Sequence, residues 1–201
     1  MSGTGPGVRA AVPGDLRRIV EVLDAAFAWD PVSHWLVLGD PAGSPWHRAL
    51  FRAFTEWALR HGTVHVSAPD LDAAALWLDL TPGAAEPVPA LAGMLRAALG
   101  PVYGRFAQLA ELMDAVHPYQ RRHAYLPFVG VVPEAQGYGL GTALLRHQLA
   151  ALDAQRRPAY LEASSRRSMA LYRSLGFTRT GHTVQLPPAG PALFPMWREP
   201  G

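Results

Sequence analysis

Three glycines at alternate positions stand directly before an alanine- and leucine-rich run in the stretch PEAQGYGLGTALLRHQLAAL, from Pro133 to Leu152. This run predicts a helix to about Ala154, and the apolar stretch from His123 to Val132 predicts a buried strand. The start of a helix presents free N–H groups and the positive end of its dipole. Glycines there let the backbone close around an anion, because no Cβ atoms intervene. The segment therefore predicts a phosphate-binding strand–loop–helix unit, against the plainer alternative that the glycines only relieve turn strain.

The remainder of the chain alternates helix-like and strand-like segments, which predicts a mixed α/β domain. Apolar residues at helical spacing predict helices over 16–27, 29–38, 47–60, 91–99, 106–116 and 168–175. Apolar runs predict strands over 8–12, 63–67, 73–80, 159–164 and 192–199, with a further strand opening at Phe177. Asp15 is the predicted N-cap of the first helix, and Gly176 stands at the C-cap of the last. No linker long enough to separate two domains is present.

The composition excludes several classes of function. The absence of cysteine rules out disulfides, thiolate nucleophiles, cysteine zinc sites and iron–sulfur clusters. The absence of lysine rules out a Walker A phosphate loop. The formal net charge of only +2 gives no indication of nucleic-acid binding. With no leader-like segment and no apolar run approaching ~20 residues, we expect a cytoplasmic protein without a membrane span, and the Ala-, Arg-, Gly- and Pro-rich composition suggests a bacterial source.

A dinucleotide site is the main alternative for the glycine loop. Gly137 and Gly139 have the required spacing, and Glu162 follows about 20 residues beyond, where an acid that binds ribose would sit. Thr142, however, occupies the third glycine position, and four residues separate the strand from the first glycine. Fewer than 40 residues remain after Glu162, too few to complete a doubly wound sheet. A NAD-dependent oxidoreductase is therefore the less favoured prediction.

Gln136, Gly139 and Gly141 form the pattern Gln-x-x-Gly-x-Gly, and the segments AYLEAS and LYRSLGF follow it. Together these features resemble the GNAT (Gcn5-related) N-acetyltransferase superfamily, in which the pattern binds acetyl-CoA and the segments form the fifth strand and the next helix. The resemblance runs from Tyr125 to Phe177 and is closest to bacterial small-molecule acetyltransferases of the puromycin-acetylating type.

This resemblance implies an α/β fold with a central mixed, mostly antiparallel sheet that is splayed at strands 4 and 5 and flanked by helices. It also implies a single domain over residues 1–201. The acetyl-CoA core would occupy about 123–177, and the acceptor-binding elements would lie mainly in 27–120.

Acetyl-CoA is the cosubstrate that the resemblance implies, without a metal. The glycine loop would bind the CoA pyrophosphate, braced by the Gln136 side chain, and the strand before it would pair with the pantetheine arm. A backbone N–H near Val131 would polarise the thioester carbonyl. Ser168 stands where the family often has Asn, and we also predict it as the N-cap of its helix. The implied cofactor-binding residues are Val129, Gly130, Val131, Gln136, Gly137, Tyr138, Gly139, Leu140, Gly141, Thr142 and Ser168.

The resemblance makes Tyr172 the general acid that protonates the departing thiolate; its alternative role is helix packing. A base is also needed, because an alkylammonium acceptor has a pKa near 10. Glu162, His123, Tyr125 or a chain of water molecules remain open for this role, and His123 and Tyr125 share one face of their strand. The other histidines ahead of the loop show no metal-ligand spacing and are predicted to be structural or surface residues: His34, His47, His61, His65 and His117.

The predicted function is acetyl-CoA-dependent N-acetylation of a small-molecule amine by direct transfer. The alternative is a non-catalytic acyl-CoA-binding or sensor domain on the same fold. The expected partner is the amine acceptor, with no nucleic acid and no membrane, in a monomer or homodimer. Aromatic residues of the N-terminal half are candidates to line the acceptor pocket: Trp35, Trp46, Trp57, Tyr103, Phe106 and Tyr119.

Overall fold

The computed structural model describes residues 7–82 and 89–201, which form eight strands and seven helices. The strands are β1 (Gly7–Ala10), β2 (Gly62–Ala68), β3 (Ala73–Leu80), β4 (His123–Val131), β5 (Ala159–Ala163), β6 (Thr178–Arg179), β7 (Val184–Gln185) and β8 (Ala192–Arg198). The helices are α1 (Leu16–Phe27), α2 (Pro31–Val37), α3 (Pro45–His61), α4 (Pro89–Leu99), α5 (Tyr103–Asp114), α6 (Leu140–Ala154) and α7 (Arg166–Ser174).

The strands form a mixed sheet in the order β1-β2-β3-β4-β5-β8-β6, with β7 pairing to β8. Every pairing is antiparallel except that between β4 and β5. The connection between these two parallel strands passes through α6, as a parallel pair requires. The predicted α/β class, with a mixed and mostly antiparallel sheet flanked by helices, is confirmed.

Two hydrophobic cores lie on opposite faces of the sheet, and β3 contributes to both. Ala74, Leu76 and Leu78 face the core shared with α1, α3, α4 and α5. Ala73, Ala75 and Trp77 face the core shared with α6 and α7. Because both faces of β3 are covered, its sequence is a continuous apolar run and does not alternate between apolar and polar residues.

A bulge in β4 changes which side chains face each core. Leu76 pairs with Phe128 and Leu78 pairs with Tyr125, so β4 carries one extra residue between these two pairs. Pro127 lies in this segment, and a bulge is one of the places in a sheet where a proline is found. Tyr125 and Phe128 consequently both face the α1 and α3 side, where a regular strand would separate them.

Several predicted helix and strand limits differ from the structure. Asp15 stands at the N-cap position of α1 as predicted, but its side chain makes no capping hydrogen bond: the carboxylate instead accepts from the Arg9 guanidinium and the Val12 N–H. The strand predicted to open at Phe177 is only two residues long, and β7 was not predicted. Gly176 has φ +88° and follows α7, as its predicted C-cap position requires.

Within residues 7–82 and 89–201, no helix combines the length and apolar character needed to cross a bilayer.

Two buried histidines make the stability of the fold dependent on pH. Burial lowers the pKa of both His65 and His123 to about 4, and neighbouring His147 contributes to the shift at His65. In the unfolded chain each would titrate near 6.5, so between pH 6.5 and 4 the unfolded state binds more protons. The stability from the neutral rings is therefore present above pH 6.5 and is lost as the pH falls toward 4.

We expect the free energy of unfolding to fall by about 3 kcal/mol for each of these histidines between pH 7 and pH 4. Urea denaturation at a series of pH values measures this. His65→Gln should show a smaller acid-induced loss than the parent, whereas His182→Gln, at an exposed position, should not. An unchanged acid sensitivity in His65→Gln would contradict the assignment.

Candidate active site

A gap between β4 and β5 opens beyond the second paired residue. Among the described residues, the two parallel strands pair only at Ala124 with Ala159 and at Tyr125 with Tyr160. On its other edge β4 continues to pair with β3 as far as Val131. The backbone of β4 from residue 126 onward therefore presents polar groups toward the gap, available to an extended ligand.

Gly130 has a packing role in addition to its place beside this gap. A Cβ at Gly130 would lie 2.8 Å from Ala26 Cβ and 3.1 Å from Leu23 Cδ2, both on α1. The glycine therefore lets α1 pack directly against β4. This helix–strand contact holds in place the wall of the site to which Phe27 belongs.

The glycine loop after β4 leaves the start of α6 open. Gly137 and Gly139 have φ values of +88° and +81°, and a Cβ at either residue would meet no atom within 4 Å. No side chain of the described residues caps α6 at Gly139, so its first N–H groups are free for a ligand. Gln136 Nε2 donates to Val131 O at 3.2 Å and ties the loop to the end of β4.

Gly141 differs from the other two glycines of the loop. It lies within the first turn of α6, and a Cβ there would stand 3.4 Å from Val131 Cγ2. Tyr138 projects outward with 77% of its surface exposed. Leu140 and Thr142 are half-buried on either side of Gly141.

The start of α7 departs from the predicted cap. Ser165, and not Ser168, is the N-cap: Ser165 Oγ accepts from Ser168 N at 3.1 Å. Ser168 occupies the third helical position, and its hydroxyl receives the Ser165 N–H at 3.2 Å. The sequence reasoning placed the cap three residues late because both residues of this reciprocal pair are serine.

Tyr172 lies on α7 and lines a cavity that Glu162 also lines. Its ring is buried and packs edge-to-face on Phe177 with centroids 5.9 Å apart. Burial, and then the negative charge of Asp30, raise the pKa of its phenol above the usual value. The hydroxyl is therefore protonated at neutral pH and able to donate a proton.

Asp30 is a site residue that the sequence reasoning missed. One carboxylate oxygen caps α2, accepting from Val32 N at 2.9 Å and Ser33 N at 3.3 Å. The other oxygen accepts from Ser164 Oγ, just beyond β5, at 2.5 Å. An Asp followed by a proline at the first helical position is a sequence pattern that predicts a helix N-cap. Its hydrogen bond with Ser164, by contrast, joins residues far apart in the chain and cannot be predicted from a local pattern.

Glu162 and His117 form the buried acidic end of the cavity. Only 3% of the Glu162 side chain is exposed, and its Oε1 lies 3.7 Å from His117 Nδ1. His117 Nε2 lies 3.0 Å from His123 Nε2, and His123 Nδ1 lies 2.6 Å from Arg121 O. The carbonyl can only accept, so the proton on His123 is at Nδ1 and its Nε2 accepts from His117. His117 Nδ1 is then the ring nitrogen left to accept a proton near Glu162.

The three predicted base candidates therefore differ in position. Glu162 and Tyr125 line the cavity, whereas His123 is fully buried behind His117 and does not. Burial, and then the charge of Glu162, raise the pKa of Tyr125 well above 10, so it remains a neutral phenol. Position and protonation therefore favour Glu162 over His123 and Tyr125 as a proton acceptor. His117, which was predicted to be a structural or surface residue, lies in the cavity beside Glu162.

The cavity itself has a volume of about 590 Å³ and extends from Tyr172 and Glu162 to helices α3 and α5. Three of the predicted aromatic residues line it: Tyr103, Phe106 and Tyr119. Trp35, Trp46 and Trp57 do not line it: Trp35 and Trp57 are buried in the core, and Trp46 packs half-buried against the core. Its other aromatic walls come from Phe27, Phe51, Phe54 and Phe128.

A buried polar network holds the helices beside this cavity. His47 Nδ1 lies 2.7 Å from Asp24 Oδ1, and His47 Nε2 lies 3.0 Å from Ser33 Oγ. Arg48 Nε donates to Asp24 Oδ2 at 2.7 Å. The network links α1, α2 and α3, and so steadies the first turn of α2 that Asp30 caps.

Across residues 7–82 and 89–201, no group of three or more histidine or acidic side chains is arranged to hold a metal ion.

Comparisons with known proteins show the family to which the chain is similar. The sequence model of the acetyltransferase (GNAT) family matches residues 29–177. A mycothiol acetyltransferase of Paenarthrobacter aurescens (strain TC1) is 40% identical over 79 residues, which cover 36% of this chain and 24% of that protein. A 5-NmdU N-acetyltransferase of Pseudomonas phage PaMx11 is 38% identical over 72 residues, which cover 36% of this chain and 50% of that protein. The chain thus matches a quarter to a half of the length of these curated relatives.

A solved structure is similar over nearly the whole chain. The crystal structure of "histone acetyltransferase HPA2 and related acetyltransferase" from Corynebacterium glutamicum ATCC 13032 superposes with a TM-score of 0.73. It is 30% identical in sequence, and the alignment covers 98% of each chain.

Proposed function

Because this chain belongs to the GNAT acetyltransferase family, we propose that it transfers the acetyl group of acetyl-CoA directly to an amine of a small molecule. The gap beside β4 carries the proposal, since an unpaired strand edge leads into the open glycine loop. Tyr172 and Glu162 line the same cavity and supply an acid and a base. We propose one catalytic domain, with cosubstrate bound over about 123–177 and the acceptor mainly over 27–120.

The loop and strand would hold the cosubstrate, which supplies the acetyl group as a thioester. The backbone from Gln136 to Thr142 offers N–H groups at the positive end of α6 for the pyrophosphate. Val129, Gly130 and Val131 offer backbone groups for the amide-bearing pantetheine arm. Ser168 plays a lesser part in this proposal, since its hydroxyl already bonds to Ser165.

Proton transfer is assigned to three side chains of the cavity, Glu162, His117 and Tyr172. Glu162 accepts the proton that the ammonium must lose before its nitrogen can attack, and His117 Nδ1 lies beside it. A backbone N–H of β4 stabilises the negative charge that develops on the carbonyl oxygen. Tyr172 donates its proton to the departing sulfur. His123 is a positioning residue, because it holds His117 in one tautomer.

A sensor domain that binds acyl-CoA without turnover is disfavoured by the presence of both an acid and a base in one cavity. The oxidoreductase alternative requires NAD to occupy the glycine loop. Thermal unfolding with acetyl-CoA, CoA and NAD separates these cases, because a ligand that binds the native state raises the melting temperature. We expect a rise with acetyl-CoA and little change with NAD. A rise with NAD alone would contradict the proposal.

The decisive test of catalysis is Tyr172→Phe, assayed by CoA release with a panel of amines. We expect kcat to fall by about 10²-fold, the smaller end of the effect of general acids. A thiol has a pKa near 8.5, so its thiolate can depart from the intermediate even when no acid protonates it. Activity should therefore be reduced and not abolished. Acetyl-CoA affinity should change little, because the ring remains packed on Phe177.

Tyr103→Phe is the matched control, since this tyrosine lines the same cavity from α5. It should retain the parent kcat. If Tyr172→Phe acetylates at the parent rate, Tyr172 is a packing residue and the general-acid assignment is wrong.

A further inference from the structure

We propose that the acceptor is a primary amine carried on an apolar, aromatic-sized group and lacking a carboxylate, such as a phenylalkylamine. This inference rests on the proposed function and adds the class of acceptor to it. It is carried by the walls of the cavity and by the charges that face it.

The apolar wall is a set of phenylalanines arranged edge-to-face. Phe128 lies at its centre, with ring centroids 5.1 Å from Phe51, 5.0 Å from Phe54 and 5.7 Å from Phe27, at interplanar angles between 78° and 85°. Phe106 extends the set from α5, 6.3 Å from Phe54. A further aromatic ring would be accommodated in the geometry that aromatic pairs prefer.

The bulge in β4 is what brings Phe128 into this wall. It places Phe128 and Tyr125 on the same side of the sheet, so the apolar wall and the reacting end belong to one cavity. The backbone of the same strand runs along the gap where the thioester would lie. An amine whose ring packs on Phe128 therefore has its nitrogen close to the reacting end.

The charges that face the cavity are of one sign. Among the described residues no arginine lines the cavity. Four carboxylates do: Asp30, Glu111, Asp114 and Glu162. Such a surface attracts an ammonium group and opposes an acceptor with a carboxylate of its own. The volume of about 590 Å³ lies within the usual range for small-molecule sites.

The test compares kcat/KM for three amines that differ by one group. Relative to 2-phenylethylamine, ethylamine lacks the ring and L-phenylalanine adds a carboxylate. We expect ethylamine to be poorer by about 100-fold, since even one methylene in an apolar pocket contributes about 10-fold or more. L-Phenylalanine should be poorer by at least ~10-fold because of the like charges.

The variant Phe106→Ser tests whether the phenylalanine wall causes the preference for the aromatic amine. In Phe106→Ser the ratio of kcat/KM for 2-phenylethylamine over ethylamine should fall at least ~5-fold, since a ring contact is lost. Leu112→Ser lies on the same helix outside the cavity lining and should keep the parent ratio. The ratio is insensitive to loss of folded protein, because both amines are measured on the same sample.

The outcomes separate this inference from the proposed function. Acetylation of ethylamine or L-phenylalanine as efficiently as 2-phenylethylamine overturns the inference and leaves the acetyltransferase function standing. Absence of turnover with every amine overturns the function. In that case the inference is overturned too, since it names the acceptor of that reaction.

Discussion

Gly139→Val should lower acetyl-CoA affinity on the order of 100-fold, or about 2.7 kcal/mol, while the protein still folds. Gly139 stands with φ +81° immediately before α6, where the backbone N–H groups are open. A valine there adds branched carbon at the surface that would meet the pyrophosphate. The expected loss corresponds to one or two hydrogen bonds to a charged group, at about 1.5–3 kcal/mol each. Isothermal calorimetry with acetyl-CoA measures it.

Gly43→Val supplies the matched control for backbone strain. Gly43 has nearly the same φ, +77°, and equally open space around its missing Cβ, but it lies in the turn between α2 and α3. Both variants should lose about 1–2 kcal/mol of folding stability from the positive φ. Only Gly139→Val should lose affinity. If a folded Gly139→Val binds acetyl-CoA as the parent does, the loop is not the pyrophosphate site.

Glu162→Gln should reduce kcat at pH 7 by about 10³-fold, within the range of 10²–10⁴ for a general base. The amide keeps the shape of the side chain but cannot accept the proton of the ammonium. The variant should recover activity as the pH rises toward the pKa of the free amine, near 10, because unprotonated acceptor then becomes available from solution. A pH series of CoA release with a turned-over amine measures both effects.

Glu56→Gln is the control for removal of a carboxylate, since Glu56 pairs with Arg52 on α3 and does not line the cavity. It should retain the parent kcat at each pH. Should Glu162→Gln keep the parent kcat at pH 7, proton removal passes through His117 or water and Glu162 is not the base. Unchanged acetyl-CoA affinity in this variant would show that the effect lies in the chemical step.

Local patterns in the sequence were sufficient for the strand–loop–helix unit and for most of the helices and strands. The alternating glycines, the apolar run before them and the helical run after them each have a backbone reason that requires no distant contact. Gly176 was found in the same way, because a left-handed position after a helix favours glycine. The serine cap of α7 was misplaced, because Ser165 and Ser168 both carry the hydroxyl that such a cap needs.

The cavity could be predicted from the sequence only in part, through Tyr103, Phe106 and Tyr119. His117 follows α5, Glu162 lies on β5 and Asp30 precedes α2, and nothing in their spacing along the chain places them in one cavity. Of the aromatic residues considered, Trp35, Trp46 and Trp57 pack in or against the core and do not line the cavity, because helical spacing does not distinguish a core face from a cavity wall. Phe128 faces the cavity only because the bulge at Pro127 shifts the alternation of β4 by one residue.

The sequence by itself thus determined the mixed α/β class and the glycine loop, because these depend on backbone conformation and on short-range periodicity. The family was indicated by the resemblance of its motifs to those of known acetyltransferases. The resemblance implied that the sheet is splayed at strands 4 and 5, and the tertiary structure decided that the pairing ends at Tyr125 and which carboxylates meet there. It also decided that His123 supports His117 from behind and does not face the substrate. The physical reason is that burial and charge at one residue depend on side chains far away in the chain, and only packing brings them together.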